Sequence, residues 1–262
     1  NLSSIGEIYI NDAFSCSHRK QASIHKITKY IKDSYAGPLL MKEVLSINMV
    51  LHDKKSPITC IIGGSKISTK IGVIRSLIKK VDNLVIVGAM ANNFVKFKGI
   101  KIGKSLVETN SEIIINEIYD KAIEYNCEIV TPLDFAVSEN TEGKANFRGL
   151  NSVNENEIIL DIGPKTIKKI CDIIDASKTV LWNGPAGYFE NKNFTDGTIS
   201  IADKISNNTG SASLISIVGG GDTLSAIKNS KLDPNFTHLS TAGGAFLEYI
   251  EGKNLPGIEV LK

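Results

Sequence analysis

The chain has 262 residues, enough for one large domain or one and a half domains. Its 30 basic and 28 acidic residues leave a formal net charge of +2, a near balance that argues against a dedicated nucleic-acid or membrane surface. No apolar stretch approaches the roughly 20 residues that span a bilayer, and the start of the chain lacks the features of a signal peptide.

The amino-terminal stretch 1–36 contains an apolar run that ends in a polar turn. Tyr9 and Ile10 lie in that run, and His18, Arg19 and Lys20 follow shortly after it. A solvated basic turn is the simplest interpretation of the three residues. Arg is nevertheless the side chain best suited to bidentate recognition of phosphate or carboxylate, so a binding role stays open.

The next segment, 37–53, has the apolar spacing of a helix. Leu40, Val44, Ile47 and Leu51 form one stripe, and Pro38 is suited to a first helical turn. An ordinary surface helix would explain this pattern equally well.

From residue 58 onward, short apolar runs alternate with helical patterns. The predicted strands are Ile58–Ile62, 84–87, Glu128–Val130, 134–137, 179–182 and 214–218, and the predicted helices are 71–81, 90–97, 108–126 and 166–175. Continuous apolar strands between helices predict an α/β fold with a parallel sheet covered on both faces. The polar stretch 140–156 is expected to be an irregular excursion.

Cysteines and histidines give no sign of a metal site. Neither residue type shows ligand spacing, and the cysteines are widely scattered without a C-x-x-C pair, which predicts a reduced, cytoplasmic protein. The cysteines are Cys16, Cys60, Cys127 and Cys171.

Glycine-marked turns follow four of the predicted strands. In an open α/β sheet, ligands bind beyond the carboxyl ends of the strands, so these turns are the candidate binding segments. They are G-G-S-K-I-S-T-K at 63–70, G-A-M at 88–90, W-N-G-P-A-G-Y-F-E at 182–190 and G-G-G-D-T at 219–223.

The first of these turns carries two lysines. It lacks the glycine that would precede the lysine in a P-loop, so that label fails. If a helix begins near Ile67, Lys66 and Lys70 share one face of it and could bind an oligophosphate. Two solvated surface lysines are an equally good interpretation.

The last two turns carry one acidic residue each. Asp222 could hold Mg²⁺ beside a glycine-rich turn that approaches a phosphate, or could simply cap a helix. Glu190 could accept from a ribose hydroxyl, although a solvated loop carboxylate fits its spacing better. The residues alone therefore indicate an α/β protein that handles a phosphorylated ligand, with a nucleotide favoured.

Seven motifs in a fixed order resemble those of the phosphoglycerate kinases along essentially the whole chain. They are Y-I-N-D-A-F-S-C-S-H-R, G-G-S-K-I-S-T-K-I, G-A-M-A-N-N-F, L-D-I-G-P, L-W-N-G-P-A-G-Y-F-E, G-G-G-D-T and H-L-S-T-A-G-G-A-F-L-E-Y-I-E-G-K-N-L-P-G. The family's members transfer a phosphoryl group between 1,3-bisphosphoglycerate and Mg-ADP, giving 3-phosphoglycerate and ATP. The resemblance implies ADP or ATP as substrate, Mg²⁺ as cofactor, a monomer, and no nucleic-acid or membrane partner.

The resemblance also implies a division of the chain. Residues 1–36 would be the end of the substrate lobe, and residues 37–53 would be the interdomain helix. Residues 54–238 would form a Rossmann-like, three-layer nucleotide domain, and residues 239–262 would return toward the other lobe. Most of the family's amino-terminal lobe has no counterpart in the sequence. The strand near residues 7–10 is therefore expected to have exposed edges and to be disordered.

Matching of motifs assigns roles to individual residues. Arg19 and Lys70 resemble catalytic residues, Arg19 also resembles a substrate-binding residue, and Asp222 resembles a Mg²⁺ ligand acting partly through nucleotide phosphates. The implied nucleotide-binding residues are Lys66, Lys70, Gly88, Ala89, Asn183, Pro185, Phe189, Glu190, Gly220, Gly221, Asp222 and Thr223. Ala89 and Ala242 stand where many members have glycine, and both are expected to be tolerated.

Two functions compete on this basis. One is the nucleotide-binding part of a phosphotransferase, and the other is a catalytically inactive nucleotide-binding remnant. A dehydrogenase is disfavoured because no G-x-G-x-x-G follows any predicted strand. The chain by itself is expected to bind Mg-ADP or Mg-ATP without kinase turnover.

Overall fold

A computed structural model describes residues 2–51, 55–211, 214–230 and 232–261. The strands are β1 Ile8–Asn11, β2 Asp33–Ala36, β3 Ile58–Ile62, β4 Asn83–Ile86, β5 Glu128–Val130, β6 Asp134–Ser138, β7 Asn146–Gly149, β8 Ile158–Ile162, β9 Thr179–Asn183, β10 Ile215–Gly219 and β11 His238–Ser240. The helices are α1 Pro38–Leu51, α2 Ile71–Leu77, α3 Ala91–Phe97, α4 Glu112–Glu124, α5 Pro164–Ala176, α6 Asp196–Ser211, α7 Gly221–Asn229, α8 Gly244–Ile250 and α9 Pro256–Glu259.

The predicted parallel sheet is present and has the strand order β11-β10-β9-β3-β4-β5. Successive residues of its strands are buried on opposite faces, as the pleat requires. Cys60 and Ile62 pack into the core cluster that includes α2, α3, α4 and α8, whereas Ile61 packs against α5, α6 and α7. The α/β prediction, with helices on both faces of a parallel sheet, is confirmed.

The predictions for residues 134–156 were wrong in part. The strand expected at 134–137 does not join the parallel sheet but is the centre of a three-stranded antiparallel sheet of order β7-β6-β8. The stretch 140–156, expected to be irregular, supplies β7. An ion pair of 2.8 Å joins Arg148 of β7 to Glu157, the residue before β8, and the hydrogen bond from Arg148 lowers the pKa of Glu157.

Two helices differ from their apolar patterns mainly at one end each. Helix α2 begins at Ile71, as predicted, but ends at Leu77 rather than at residue 81. Because residues 67–70 form a turn and no helix begins near Ile67, Lys66 and Lys70 do not share a helix face. Helix α4 begins at Glu112 rather than at residue 108, because Asn110 adopts a positive φ of 59° that interrupts the helix.

The amino-terminal segment forms a two-stranded sheet, so residues 8–11 are a paired strand and not the disordered segment that was expected, although the expected exposure is present at Ile8 and Ile10. Strand β1 pairs in parallel with β2 over four residues, from Ile8 opposite Asp33 to Asn11 opposite Ala36. Carboxyl-terminal residues also contact this segment, since the amide of Gly257 donates to the carbonyl of Ser17 at 2.7 Å.

Helix α1 forms as predicted with Pro38 as its first residue, although its expected end at residues 52–53 lies outside the described residues. Its side chains contact elements of the later chain. Glu43 forms a 2.8 Å pair with His238 of β11, and Asn48 accepts a hydrogen bond from the hydroxyl of Tyr249. No helix in the described ranges is both long enough and apolar enough to serve as a membrane span.

Candidate functional site

The four glycine-marked turns converge at the carboxyl edge of the parallel sheet. They follow β4, β3, β9 and β10, which are consecutive neighbours in the sheet. The backbones touch directly: the amide of Gly63 donates to the carbonyl of Asn183 at 2.8 Å, and the amide of Gly88 donates to that of Ala186 at 3.1 Å. At Gly184, φ is +98° and an added Cβ would lie 2.2 Å from the carbonyl oxygen of Gly63, so only glycine fits this crossing.

A hydrogen-bonded network joins Lys70 to the other turns. The Lys70 ammonium donates to Oδ1 of Asn183 at 2.6 Å, and Nδ2 of Asn183 donates to the carbonyl of Gly219 at 2.9 Å. The Thr223 hydroxyl accepts from the amide of Gly184 at 2.7 Å. Predicted site residues from three separate segments are thereby held together.

The two lysines of 63–70 have different environments. Lys70 is half-buried, and desolvation lowers its pKa although the negative charge of Asp222 acts in the opposite direction. Lys66 is exposed. The position of Lys70, close to Asp222 and hydrogen-bonded to Asn183, argues against treating it as an ordinary solvated lysine.

Asp222 lies in the first turn of α7 and is exposed. The cap position of this helix belongs to Gly220, whose φ of +103° suits glycine, so the interpretation of Asp222 as an N-cap was wrong. Gly221 has open space where a side chain would begin. The helix thus offers a free carboxylate beside an unobstructed backbone.

A cavity of about 460 Å³ opens beside these turns. Six of the predicted residues line it: Gly88, Ala89, Pro185, Phe189, Glu190 and Asp222. Six others are absent from its wall: Lys66, Lys70, Asn183, Gly220, Gly221 and Thr223. The cavity wall and the lysine network are therefore adjacent parts of one region, joined at Asp222 and at the turn of Gly64.

Residue-level reasoning missed much of the apolar wall. The additional lining residues include Leu106, Pro132, Phe135, Leu160 and Tyr188. Tyr188 belongs to the turn 182–190, and the other four come from segments outside the four glycine turns, among them the antiparallel sheet that the sequence pattern did not indicate. The motif L-D-I-G-P was the available signal, because it places Leu160 and Asp161 together.

Asp161 is a buried carboxylate in this wall. Burial raises its pKa to about 7, although the amides of Gly197 and Ile162 donate to it at 2.9 and 2.8 Å. The bond from Gly197 attaches the wall to the first turn of α6. Asp161 was not among the predicted site residues.

Arg19 lies outside this region. It is exposed on the amino-terminal segment, and its Nε contacts Nε2 of His18 at 3.3 Å. It is not among the residues lining the cavity.

The described residues contain no cluster of three or more His, Cys, Asp or Glu side chains suited to a metal ion. Mg²⁺ in nucleotide sites is commonly bound by one or two carboxylates together with phosphates and water. The single exposed carboxylate of Asp222 fits that donor set, and all four cysteines are free thiols.

Comparisons with known proteins give one consistent result. The phosphoglycerate kinase family profile matches residues 1–253. A phosphoglycerate kinase of Wolbachia pipientis wMel is 46% identical over all of the chain, which covers 66% of that protein. One of Orientia tsutsugamushi (strain Ikeda) is 45% identical over 99% of the chain and 64% of its own length.

Solved structures agree with these relatives. The phosphoglycerate kinase of Coxiella burnetii superimposes with a TM-score of 0.91 at 39% identity, covering 99% of the chain and 66% of that structure. The enzyme of Pyrococcus horikoshii OT3 gives a TM-score of 0.85 at 29% identity, with 99% and 65% covered. The chain therefore spans just under two thirds of the proteins it matches.

Proposed function

Because the chain belongs to the phosphoglycerate kinase family, we propose that it supplies the nucleotide-binding part of a phosphoryl transfer between 1,3-bisphosphoglycerate and Mg-ADP. The observation that carries the proposal is the convergence of four turns, a half-buried lysine and an open cavity at the carboxyl edge of one parallel sheet. Ligands of open α/β sheets bind at this edge.

The nucleoside would occupy the cavity. Its apolar wall suits a base, with Gly88, Ala89, Pro185 and Phe189 among the groups that would contact the nucleoside. Glu190 is exposed at the cavity and can accept hydrogen bonds from ribose hydroxyls. A site with a mostly apolar lining and few polar groups is typical of small-molecule binding.

The phosphates would lie over Lys66, Lys70 and the first turn of α7. Gly220, Gly221 and Thr223 form that turn, with free amides at the positive end of the helix dipole. Asp222 would hold the Mg²⁺ carried by the nucleotide, which neutralises phosphate charge when bound. Lys70 can move its donated hydrogen bond from Asn183 to a phosphate oxygen and follow the transferring group.

Arg19 would act from the opposite side, on the phosphoryl group and substrate. Its segment 1–36 would belong to the substrate lobe, α1 to the region between lobes, 54–238 to the nucleotide domain and 239–262 to the returning segment. Closure of the lobes would exclude water, which otherwise hydrolyses an acyl phosphate. In the isolated chain, the substrate would lack most of its binding surface.

Calorimetry with Mg-ADP and a coupled assay with 3-phosphoglycerate and Mg-ATP test the proposal. We expect saturable binding of Mg-ADP by the purified 262-residue chain and no kinase turnover. Loss of orientation alone can remove about 7–11 kcal/mol of barrier lowering. Failure to bind any nucleotide would refute the nucleotide site and favour a remnant without function, and measurable turnover would refute the inactivity of the chain.

A further inference from the structure

Lys66 and Lys70 flank a turn that leads into α2, with Lys70 at the cap position of that helix. Residues 67–70 form a turn between β3 and α2, closed by the amide of Lys70 donating to the carbonyl of Ile67 at 2.9 Å. The hydroxyl of Thr69 donates to the carbonyl of Lys66 at 2.8 Å. Ile67 is buried in the core and Lys70 is half-buried, whereas Ser68 and Thr69 in the middle of the turn are exposed. A contact from another segment is therefore needed to fix the middle of the turn.

That contact comes from Glu108, a residue with no role in the sequence analysis. One of its carboxylate oxygens accepts from the amide of Ser68 at 3.0 Å, and the other accepts from the Ser68 hydroxyl at 2.5 Å. Both oxygens therefore hold one residue in the middle of the turn. Partial burial acts to raise the pKa of Glu108, but the hydrogen bonds from Ser68 and Ile67 and the charge of Lys66 lower it overall.

The backbone of Glu108 is itself held by a buried asparagine, Asn93. Its amide donates to Oδ1 of Asn93 at 2.8 Å, and the same oxygen accepts from the hydroxyl of Ser111 at 3.2 Å. Asn93 is buried in α3, the helix that follows the G-A-M turn, and its Nδ2 donates to the carbonyl of Met90 at 3.1 Å. The backbone that carries the Glu108 carboxylate is thus held by hydrogen bonds to α3.

The same segment also reaches the cavity. Leu106 lines the cavity two residues before Glu108, and its carbonyl accepts from Nδ2 of Asn92 at 3.2 Å. The segment 106–108 therefore contacts both the wall of the cavity and the lysine turn.

We propose that Glu108 is a positioning residue that fixes Ser68 and thereby directs Lys66 and Lys70 toward the phosphates of a bound nucleotide. This inference rests on the proposed nucleotide function. Glu108 does not touch the ligand and carries the wrong charge to attract phosphate, so its effect is exerted through the geometry of the turn. Its loss should weaken recognition of the phosphates and leave recognition of the nucleoside unchanged.

The test compares Mg-ADP with adenosine, which has no phosphates, by calorimetry on the whole chain. For Glu108→Ala we expect the Kd for Mg-ADP to rise about tenfold, the scale of a lost charge-assisted hydrogen bond, and the Kd for adenosine to stay within about twofold. Glu108→Gln retains one acceptor and should give roughly a threefold rise. Glu112→Gln, at an exposed glutamate in the first turn of α4, is the matched control and should change neither Kd.

The outcomes separate the two proposals. If the unaltered chain binds neither ligand, the nucleotide site itself is wrong, and the inference fails with it. If the unaltered chain binds Mg-ADP and Glu108→Ala binds it equally well, the positioning role alone is wrong. An equal loss of Mg-ADP and adenosine would also overturn it, because that result indicates general loosening of the site. Ser68→Ala offers a second variant that leaves the segment at 106–108 intact and should weaken Mg-ADP binding selectively.

Discussion

Lys70 combines a cost to stability with an advantage for binding. Its ammonium donates to Asn183, and its partial desolvation lowers its pKa from the ordinary 10.5. Burial of a charge is unfavourable unless it is fully compensated. We therefore interpret Lys70 as a residue kept for function, whereas Lys66, which is exposed, carries no such cost.

Lys70→Met should make the chain more stable and a poorer binder. At pH 7 we expect a rise in Tm of a few degrees and a loss of Mg-ADP affinity of at least about tenfold, because a charged contact to phosphate is removed. As pH rises from the lowered pKa toward 10.5, the unfolded chain binds more protons than the folded chain, so the unaltered protein gains stability and the difference in Tm narrows.

Lys66→Met is the control for that measurement. It should weaken Mg-ADP binding without raising Tm, because Lys66 is already solvated. A Lys70→Met variant with unchanged affinity for Mg-ADP would contradict the assignment of Lys70 to the phosphates.

Asp222→Asn should reduce the dependence of binding on metal. The exposed carboxylate is the only acidic residue of the first turn of α7, and the amide that replaces it is a weaker ligand for Mg²⁺. We expect calorimetry to show a Kd for Mg-ADP roughly tenfold higher and a Kd for metal-free ADP that is unchanged or lower. Asp203→Asn, at an exposed position of α6, is the control, and an unaltered metal dependence in Asp222→Asn would exclude a role in metal binding.

At the scale of elements, the turn into α7 can be tested without disturbing the fold. An added Cβ at Gly221 meets nothing within 4 Å, so Gly221→Ala should fold normally and keep its Tm. If phosphates approach this backbone, the methyl group should obstruct them and raise the Kd for Mg-ADP several-fold. Gly6→Ala, far from the sheet in the sequence and with only ordinary contacts, is the control. Full affinity in Gly221→Ala would place the phosphates elsewhere.

Element types were predictable from apolar spacing, but several boundaries were not. Strand β3 was predicted with its observed bounds, Ile58–Ile62, because a fully buried parallel strand is a continuous apolar run. Helix α4 was predicted four residues too early, since Glu108 fits the helical pattern while its amide bonds to Asn93 instead. A tertiary contact of this kind overrides the helical preference of the local sequence. For the same reason, no sign of the role proposed for Glu108 was visible in the sequence.

Only part of the candidate site was predictable from the sequence. Glycine turns at strand ends are recognisable because the sheet brings them to one edge whatever their separation along the chain. The apolar wall was not, because Phe135 and Leu160 belong to the antiparallel sheet, whose strands look like core in sequence. The pairing of β1 with β2 was not predicted either.

At the scale of the whole molecule, we propose that a nucleotide binds across the carboxyl edge of the parallel sheet. A second open cavity, of about 560 Å³, lies at the opposite edge beside Asn83 and Glu128, the first residues of β4 and β5. The second cavity therefore serves as a control region in any measurement that locates the bound nucleotide.

Hydrogen exchange of the backbone amides with and without Mg-ADP tests this claim most directly. We expect protection in the turns 63–70, 88–91, 184–190 and 219–223, and unchanged exchange around Asn83 and Asn126 beside the second cavity. Protection confined to the second cavity, or none in the four turns at saturating Mg-ADP, would contradict the account.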